Sequence, residues 1–202
     1  MLQTIADTIW GKPCLAYHVQ PSLEPETLDA FAAVQQRFAA LWPEPLHIGP
    51  EQGLHVTIYP LMTVWGDYDK EAHWRSIAPR IRGLLEDLCS GHEPLELRFS
   101  RLKVTNTAIV ATATEKSGLI EAIRGRILRD IPPPPGQKPI VYDLIHSTLA
   151  RYPTKAVIPD DVVERVENLP LTVAAPVSRI RLVRETVFPG LVHEELAVFP
   201  LG

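Results

Sequence analysis

The chain has 202 residues, 46% of them hydrophobic and 22% charged, enough to bury a substantial core as one domain or two small lobes. A net charge of −4 and a sequence pI near 6.0 argue against a protein that grips long nucleic acid, which needs a strong basic excess, and leave a small phosphorylated ligand or only the end of a nucleic acid as partners. The two cysteines, Cys14 and Cys89, form no metal motif or disulfide framework, the N-terminus lacks signal-peptide blocks, and no apolar run approaches membrane-spanning length; a cytoplasmic monomer without a membrane partner is expected.

In chain order, residues 13–19 (PCLAYHV) are short, mostly apolar and bounded by prolines, so they read as a strand carrying His18. Leu28, Phe31, Phe38, Leu41 and Trp42 recur at helical spacing and predict an amphipathic helix over 26–41, stopped by Pro43 and Pro45. A strand is expected over 54–61. A second helix is marked by Trp74, Ile77, Ile81, Leu84, Leu85 and Leu88, with Pro79 expected in its first turn or at a kink.

Residues 95–104 read as a strand whose apolar phase changes near Ser100, which predicts a bulge. Asn106 punctuates a hairpin into a strand over 108–114, and Leu119, Ile120, Ile123 and Ile127 mark a third helix. The prolines of 132–135 make a stiff extended connection that delivers the chain to a strand over 141–152. A short helix over 160–167 and strands over 171–174, 179–186 and 195–199 complete the chain. Strands and helices interleave in two halves of similar make-up, read as one domain over 1–202.

Each half contains one copy of a doublet: Leu54-His55-Val56-Thr57-Ile58 and Ile145-His146-Ser147-Thr148-Leu149. On a strand, His and Thr two residues apart share a face while their apolar neighbours take the other. Two imidazoles on either side of a phosphorus can run an in-line displacement without a metal, one taking a proton from the attacking oxygen and the other giving one to the leaving oxygen; a reference pKa of about 6.5 suits both tasks. Hydroxyls on the same face can donate to the non-bridging oxygens, where transition-state charge gathers.

Tyr59 and Tyr152 continue these faces by period two and are candidates for stacking on a base, with packing at the core edge the alternative. Arg151 alternates to the opposite face and reads as a surface or lobe-interface residue. Arg179, Arg181 and Arg184 are candidates for a positive cleft rim or a solvated face, and His18 for a cleft or a structural histidine.

The two His-x-Thr-hydrophobic motifs, 91 positions apart, and the run His146-Ser147-Thr148-Leu149-Ala150-Arg151 resemble the 2H phosphoesterase superfamily, which includes 2′,3′-cyclic nucleotide phosphodiesterases and 2′-5′ RNA ligase-like proteins. The resemblance spans most of the chain. It implies a bilobal α+β fold of two pseudo-symmetric antiparallel sheets with outer helices and a central cleft. It further implies His55 and His146 as the acid/base pair, Thr57 and Thr148 as phosphate binders, and no cofactor or metal. Ser147 departs from the apolar residue common there and should point away from the cleft.

The function expected is metal-independent hydrolysis of a 2′,3′-cyclic phosphate on a nucleotide or RNA terminus. The alternatives are 2′-5′ RNA ligation, a non-catalytic nucleotide or RNA-end binding module using the same cleft, and, ranked last, a metal site built from His55, His146 and His18.

Overall fold

The computed structural model describes residues 1–141 and 143–202. The chain opens with β1 (Leu2–Gln3), then β2 (Pro13–Pro21), α1 (Pro25–Ala39), β3 (His47–Ile48), a 3-10 turn (Glu51–Gly53) and β4 (Tyr59–Met62). It continues through α2 (Lys70–Cys89), β5 (Leu95–Val104), β6 (Ala108–Thr114), α3 (Leu119–Asp130), β7 (Ile145–Arg151) and β8 (Val157–Ile158). The last elements are α4 (Asp160–Glu167), β9 (Val173–Val177), β10 (Arg179–Val187) and β11 (Val192–Pro200).

The strands form two antiparallel sheets, one of four strands in the order β11-β10-β2-β4 and one of five in the order β3-β7-β6-β5-β9, with a small β1-β8 pair beside them. This is the expected α+β fold with two antiparallel lobes. The lobes are laced together by chain crossings: β3 precedes β4 in sequence but joins the five-stranded sheet, and β10 and β11 return to the four-stranded one. Buried side chains of both sheets and all four named helices form one continuous apolar cluster.

Each helix owes its place to an apolar stripe. On α1, Phe31, Val34 and Phe38 are buried, and Phe31 meets Phe99 of β5 edge to face at 4.9 Å, so the helix lies on the five-stranded sheet. On α2, the Asp69 side chain accepts a hydrogen bond from the Ala72 amide at 2.8 Å, capping the helix well before the position expected. Pro79 therefore lies inside the helix rather than in its first turn. The buried row Ile77, Ile81, Leu84 and Leu85 outweighs the roughly 3 kcal/mol that an interior proline costs.

Three strand expectations change for a shared reason: a ladder ends where its partner does. The run over 54–61 becomes regular only in β4, because residues 55–57 cross between the sheets and touch the second one at a single bridge, Val56 to Ser147. The strand expected over 141–152 spans Ile145–Arg151, since β6 supplies partners from Ala108 to Ala113; residue 142 lies outside the described residues. The strand expected over 171–174 shifts to β9 because it pairs with Leu95 to Phe99 of β5. The bulge expected near Ser100 is present as a register shift between Phe99 and Arg101.

Candidate active site

The bridge between Val56 and Ser147 organises the site. Both residues are fully buried, so their side chains point into the core and the flanking residues point the other way. By antiparallel register, His55 stands opposite Thr148 and Thr57 opposite His146. All four line one cavity of about 280 Å³ between the sheets. Ser147 faces away from that cavity, as its alternation requires.

Several interactions hold the doublet at this crossing. The Ile58 amide donates to the Val19 carbonyl at 2.8 Å, tying the first motif to β2. Arg124 of α3, almost completely buried, donates from Nε to the Ile58 carbonyl and from Nη2 to the Leu144 carbonyl, both at 2.9 Å. One guanidinium thus grips the backbone beside each motif, a task its rigid fork performs better than a lysine would.

His55 Nδ1 is 2.8 Å from the Gly53 carbonyl, which can only accept, so Nδ1 carries the proton and Nε2 holds the lone pair. Burial pushes its pKa down to about 4, with the charge of His18 contributing, against the opposing pull of the Gly53 carbonyl and Glu185. His146 is also held below the ordinary imidazole value, by burial and then by the positive charges of Arg151 and Arg124. In both rings these effects favour the neutral imidazole.

A third imidazole shares the cavity. His18 of β2 lies 6.3 Å from His55, ring centre to ring centre, and its Nε2 is 2.8 Å from Oε2 of Glu185 on β10. Glu185 is 3% exposed; its other oxygen accepts the Gly190 amide at 2.9 Å. Burial alone would raise that carboxyl, but the hydrogen bond and charge of His18, the Gly190 amide and the charge of His55 together hold it below the usual carboxylate range.

Gly190 closes against His55 itself. Its φ of +68° suits glycine, and a Cβ there would lie 3.1 Å from His55 Nδ1. Phe188 and Pro189, on the same turn, complete this wall of the cavity.

The adjoining wall comes from the N-terminal segment, whose Gly11 amide donates to the Phe188 carbonyl at 2.7 Å. The Asp7 amide donates to the Tyr152 carbonyl at 2.7 Å, and Asp7 Oδ1 accepts the amides of Ile9 and Trp10. This turn brings Trp10 to the cavity, where its ring stacks on His47 at 4.7 Å with only 8° between planes. Arg151 also lines the cavity, 3.6 Å from Asp7 Oδ2 and 4.9 Å above the Phe188 ring.

The structure places several candidates outside the substrate-facing role that the sequence offered for them, and brings one into the cavity. Tyr59 does not line the cavity: β4 sets Tyr59 opposite buried Val19 and Pro60 opposite His18, so Pro60 shares the cavity face of His18. Tyr152 lies beyond the end of β7, 2% exposed, stacked on Trp42 at 5.4 Å and donating its hydroxyl to the Thr105 carbonyl at 3.0 Å. Arg151, expected at the surface or lobe interface, faces the cavity. Arg181 and Arg184 do not line the cavity: Arg181 meets Gln20 and Glu195, and Arg184, on the opposite face of β10, meets Glu71 and Glu194.

Glu185, Trp10, Arg124 and the 188–190 turn do not stand out in the sequence. Glu185 carries little local signal, because Arg179 and Arg181 share its period-two face; Trp10 and Arg124 carry none, because their roles depend on contacts across 37 and 66 positions. Among the described residues, no group of three His, Cys, Asp or Glu side chains is arranged to hold a metal ion. No helix among them is long and apolar enough to cross a membrane.

Comparison with known proteins decides the family. The model of the 2′-5′ RNA ligase superfamily matches residues 50–187, more than half of the chain. The chain belongs to this superfamily. The matched stretch contains both His-x-Thr motifs and Glu185, while Trp10 and His18 precede it.

Superfamily membership agrees with the architecture of solved structures. TT0787 of Thermus thermophilus superposes with a TM-score of 0.66 at 20% identity, covering 92% of this chain and 97% of that one. Escherichia coli LigT in its apo form gives 0.60 at 17% identity over 94% and 98%. LigT complexed with 3′-AMP gives 0.61 at 13% identity over 94% and 99%. No curated protein matches the chain in sequence.

Proposed function

We propose that the protein hydrolyses a 2′,3′-cyclic phosphate by two-histidine acid/base catalysis without a metal. The observation that carries this reading is the crossed pairing of the motifs, His55 opposite Thr148 and Thr57 opposite His146, in one cavity between the sheets. A phosphate seated there has an imidazole on each side and a hydroxyl beside each imidazole.

His55 takes the role of base, because Gly53 fixes the proton on Nδ1 and leaves the Nε2 lone pair for water. Water oxygen bonds to phosphorus, its proton passes to His55 Nε2, and the bond from phosphorus to one ribose oxygen breaks. His146, protonated once the phosphate anion offsets its positive neighbours, gives its proton to that leaving oxygen. The product is a phosphomonoester, and Thr57 and Thr148 donate to the non-bridging oxygens throughout. The solved complexes of LigT with 3′-AMP and with phosphate support a small phosphorylated ligand in this cleft.

The test is a panel of nucleoside 2′,3′-cyclic phosphates, assayed with and without a chelator, with the product identified as a 2′- or 3′-phosphate. Turnover should survive chelation. His55→Ala and His146→Ala should each lower kcat by about 10² to 10⁴, and Thr57→Val or Thr148→Val by about 10² or more. Unchanged turnover in the double histidine variant would falsify the reading. Ester formation between RNA termini, run in the same assay, opens the same cyclic phosphate with a terminal hydroxyl in place of water as the attacking oxygen.

A further inference from the structure

The cavity at the two motifs is bordered differently on two sides. Past His18, Arg151 and Phe188 it adjoins a second compartment of about 530 Å³. Past Pro60 it ends on a wall supplied by a segment that the catalytic proposal does not use, the proline-rich strap of residues 132–140.

The strap is stiff by composition. Pro132 to Pro135 and Pro139 are all prolines, whose rings hold φ at about −65°. The strap starts from Ile131, buried at the end of α3, whose amide donates to the Ile127 carbonyl at 3.0 Å. It then turns back at Pro135 and Gly136: the Gln137 amide donates to the Pro134 carbonyl at 2.9 Å, and Gly136 has φ of +71°. Proline second and glycine third is the order that a type II turn demands.

The strap lies along β4. Only about 50 Å³ is left between residues 132–134 and the Tyr59–Thr63 stretch, far below the roughly 300 Å³ of the smaller ligand sites, so this contact is packing rather than a binding cleft. Where the strap ends, the Ile140 amide donates to the hydroxyl of buried Tyr59. The Ile140 side chain lines the reactive cavity there, together with Pro60 and Thr63.

Charge in the cavity is already committed. A bound phosphate takes the two imidazoles and two hydroxyls of the motifs, while Arg151 lies 3.6 Å from Asp7 and His18 lies 2.8 Å from Glu185. Whatever the phosphate carries with it therefore meets an apolar surface, to which Ile140 and Pro60 give the aliphatic part and Trp10 the aromatic part. A sugar and its base bury apolar area against such a surface, and a short diol buries far less.

We propose that Ile140 is a specificity-determining contact of this site: it packs on the nucleoside of a nucleoside 2′,3′-cyclic phosphate, and the Tyr59 hydroxyl is the positioning group that holds it there. The motif residues carry the chemistry, and Ile140 sets which cyclic phosphates they receive. Tyr59 then acts on the substrate through the strap instead of by stacking. The catalytic arm of the test rests on the hydrolytic reading above, and the binding arm does not.

The catalytic arm compares cytidine 2′,3′-cyclic phosphate with glycerol 1,2-cyclic phosphate, which has the same five-membered ring and no nucleoside. Ile140→Ala should lower the ratio of the two kcat/KM values, cytidine over glycerol, by about tenfold, with the loss in KM for the cytidine substrate rather than in kcat. Ile140→Val should keep most of the ratio. Tyr59→Phe, which retains the ring and removes the acceptor for the Ile140 amide, should lower the ratio by a smaller factor. A purely destabilising change would lower both substrates alike. An unaltered ratio in Ile140→Ala, or a loss confined to kcat, overturns the proposal, and an unaltered ratio in Tyr59→Phe overturns the positioning role.

The binding arm titrates 3′-CMP and inorganic phosphate calorimetrically. Ile140→Ala should weaken 3′-CMP by about tenfold and retain the affinity for phosphate. Equal losses for both ligands, or none for either, overturn the contact. The expected binding pattern without turnover of either cyclic phosphate instead overturns the hydrolytic reading and leaves the Ile140 contact standing.

Discussion

Val56 and Ser147 form the one backbone bridge, among the described residues, between the first motif and the five-stranded sheet, and both side chains are completely buried. That bridge turns two separate strand alternations into one face carrying His55, Thr57, His146 and Thr148. Each imidazole ends up across from the other motif's hydroxyl, so neither half of the chain has a complete site alone.

The pH dependence of activity follows from burial of His55. With its pKa pushed down to about 4, the acid limb of kcat/KM, which reports the free enzyme, should fall well below the value of about 6.5 for a solvated imidazole. His18→Gln removes a charge that disfavours protonation of His55, so it should move the limb upward. A wild-type limb at 6.5 would contradict this placement of the base.

The same shift has a sign for stability. An unfolded His55 binds its proton near pH 6.5 whereas the folded one resists until about 4, so the unfolded state holds more protons between those values. Stability is therefore present above pH 6.5 and declines as pH falls through that window. Glu185, held low in the fold, acts in the same direction at more acidic pH. Urea midpoints at pH 7.0, 5.5 and 4.5 should fall more steeply for the wild-type protein than for His55→Asn.

Glu185 holds His18 with one oxygen and the Gly190 amide with the other, almost completely shielded from solvent. Glu185→Ala should cost about 3–5 kcal/mol by leaving both partners buried without it. Glu185→Gln, which retains an acceptor for Gly190, should cost less. Because Gly190 seats against His55, the alanine variant should also lose activity at temperatures where it is still folded, as circular dichroism and a cyclic-phosphate assay would show together.

Arg124 acts on the site through the backbone. Arg124→Met leaves the buried Ile58 and Leu144 carbonyls without their donor, at about 1.5–3 kcal/mol for each charge-assisted bond. The expected signature is a loss of both stability and kcat with little change in KM. Arg124→Lys should recover part of each, since an ammonium cannot reproduce the two-pronged grip. Full kcat in the methionine variant would remove Arg124 as a positioning residue.

Tyr152 separates core from cleft. Its hydroxyl donates to Thr105 and its ring stacks on Trp42, so Tyr152→Phe should cost about 1 kcal/mol of stability and leave KM unchanged. A marked rise in KM would return Tyr152 to the substrate-binding surface.

The elements with strong periodicity are legible in the amino-acid order alone. The helices α1, α2 and α3 announce themselves by apolar residues at helical spacing, and the bulge in β5 by a break in alternation, because these patterns are produced by the few residues around them. The pairing of His with Thr in each motif is legible for the same reason: two residues apart on an extended chain, they share a face whatever lies beyond. Short strands such as β1, β3 and β8 are not, since two residues carry no period and only a distant partner makes them strands.

The tertiary structure decided everything that depends on a partner far along the chain. Residues 55–57 stay outside a regular strand because they pass between two sheets, and Tyr59 leaves the cleft face where β4 takes its register from β2. Arg151 enters the cavity because the strand ends there, and Glu185 becomes its buried acid because β10 lies beside β2. The sequence by itself determined the four groups that meet at the bridge, through local alternation. Which walls surround them, which charges balance there, and where a second compartment opens are consequences of long-range packing, which no short window of residues encodes.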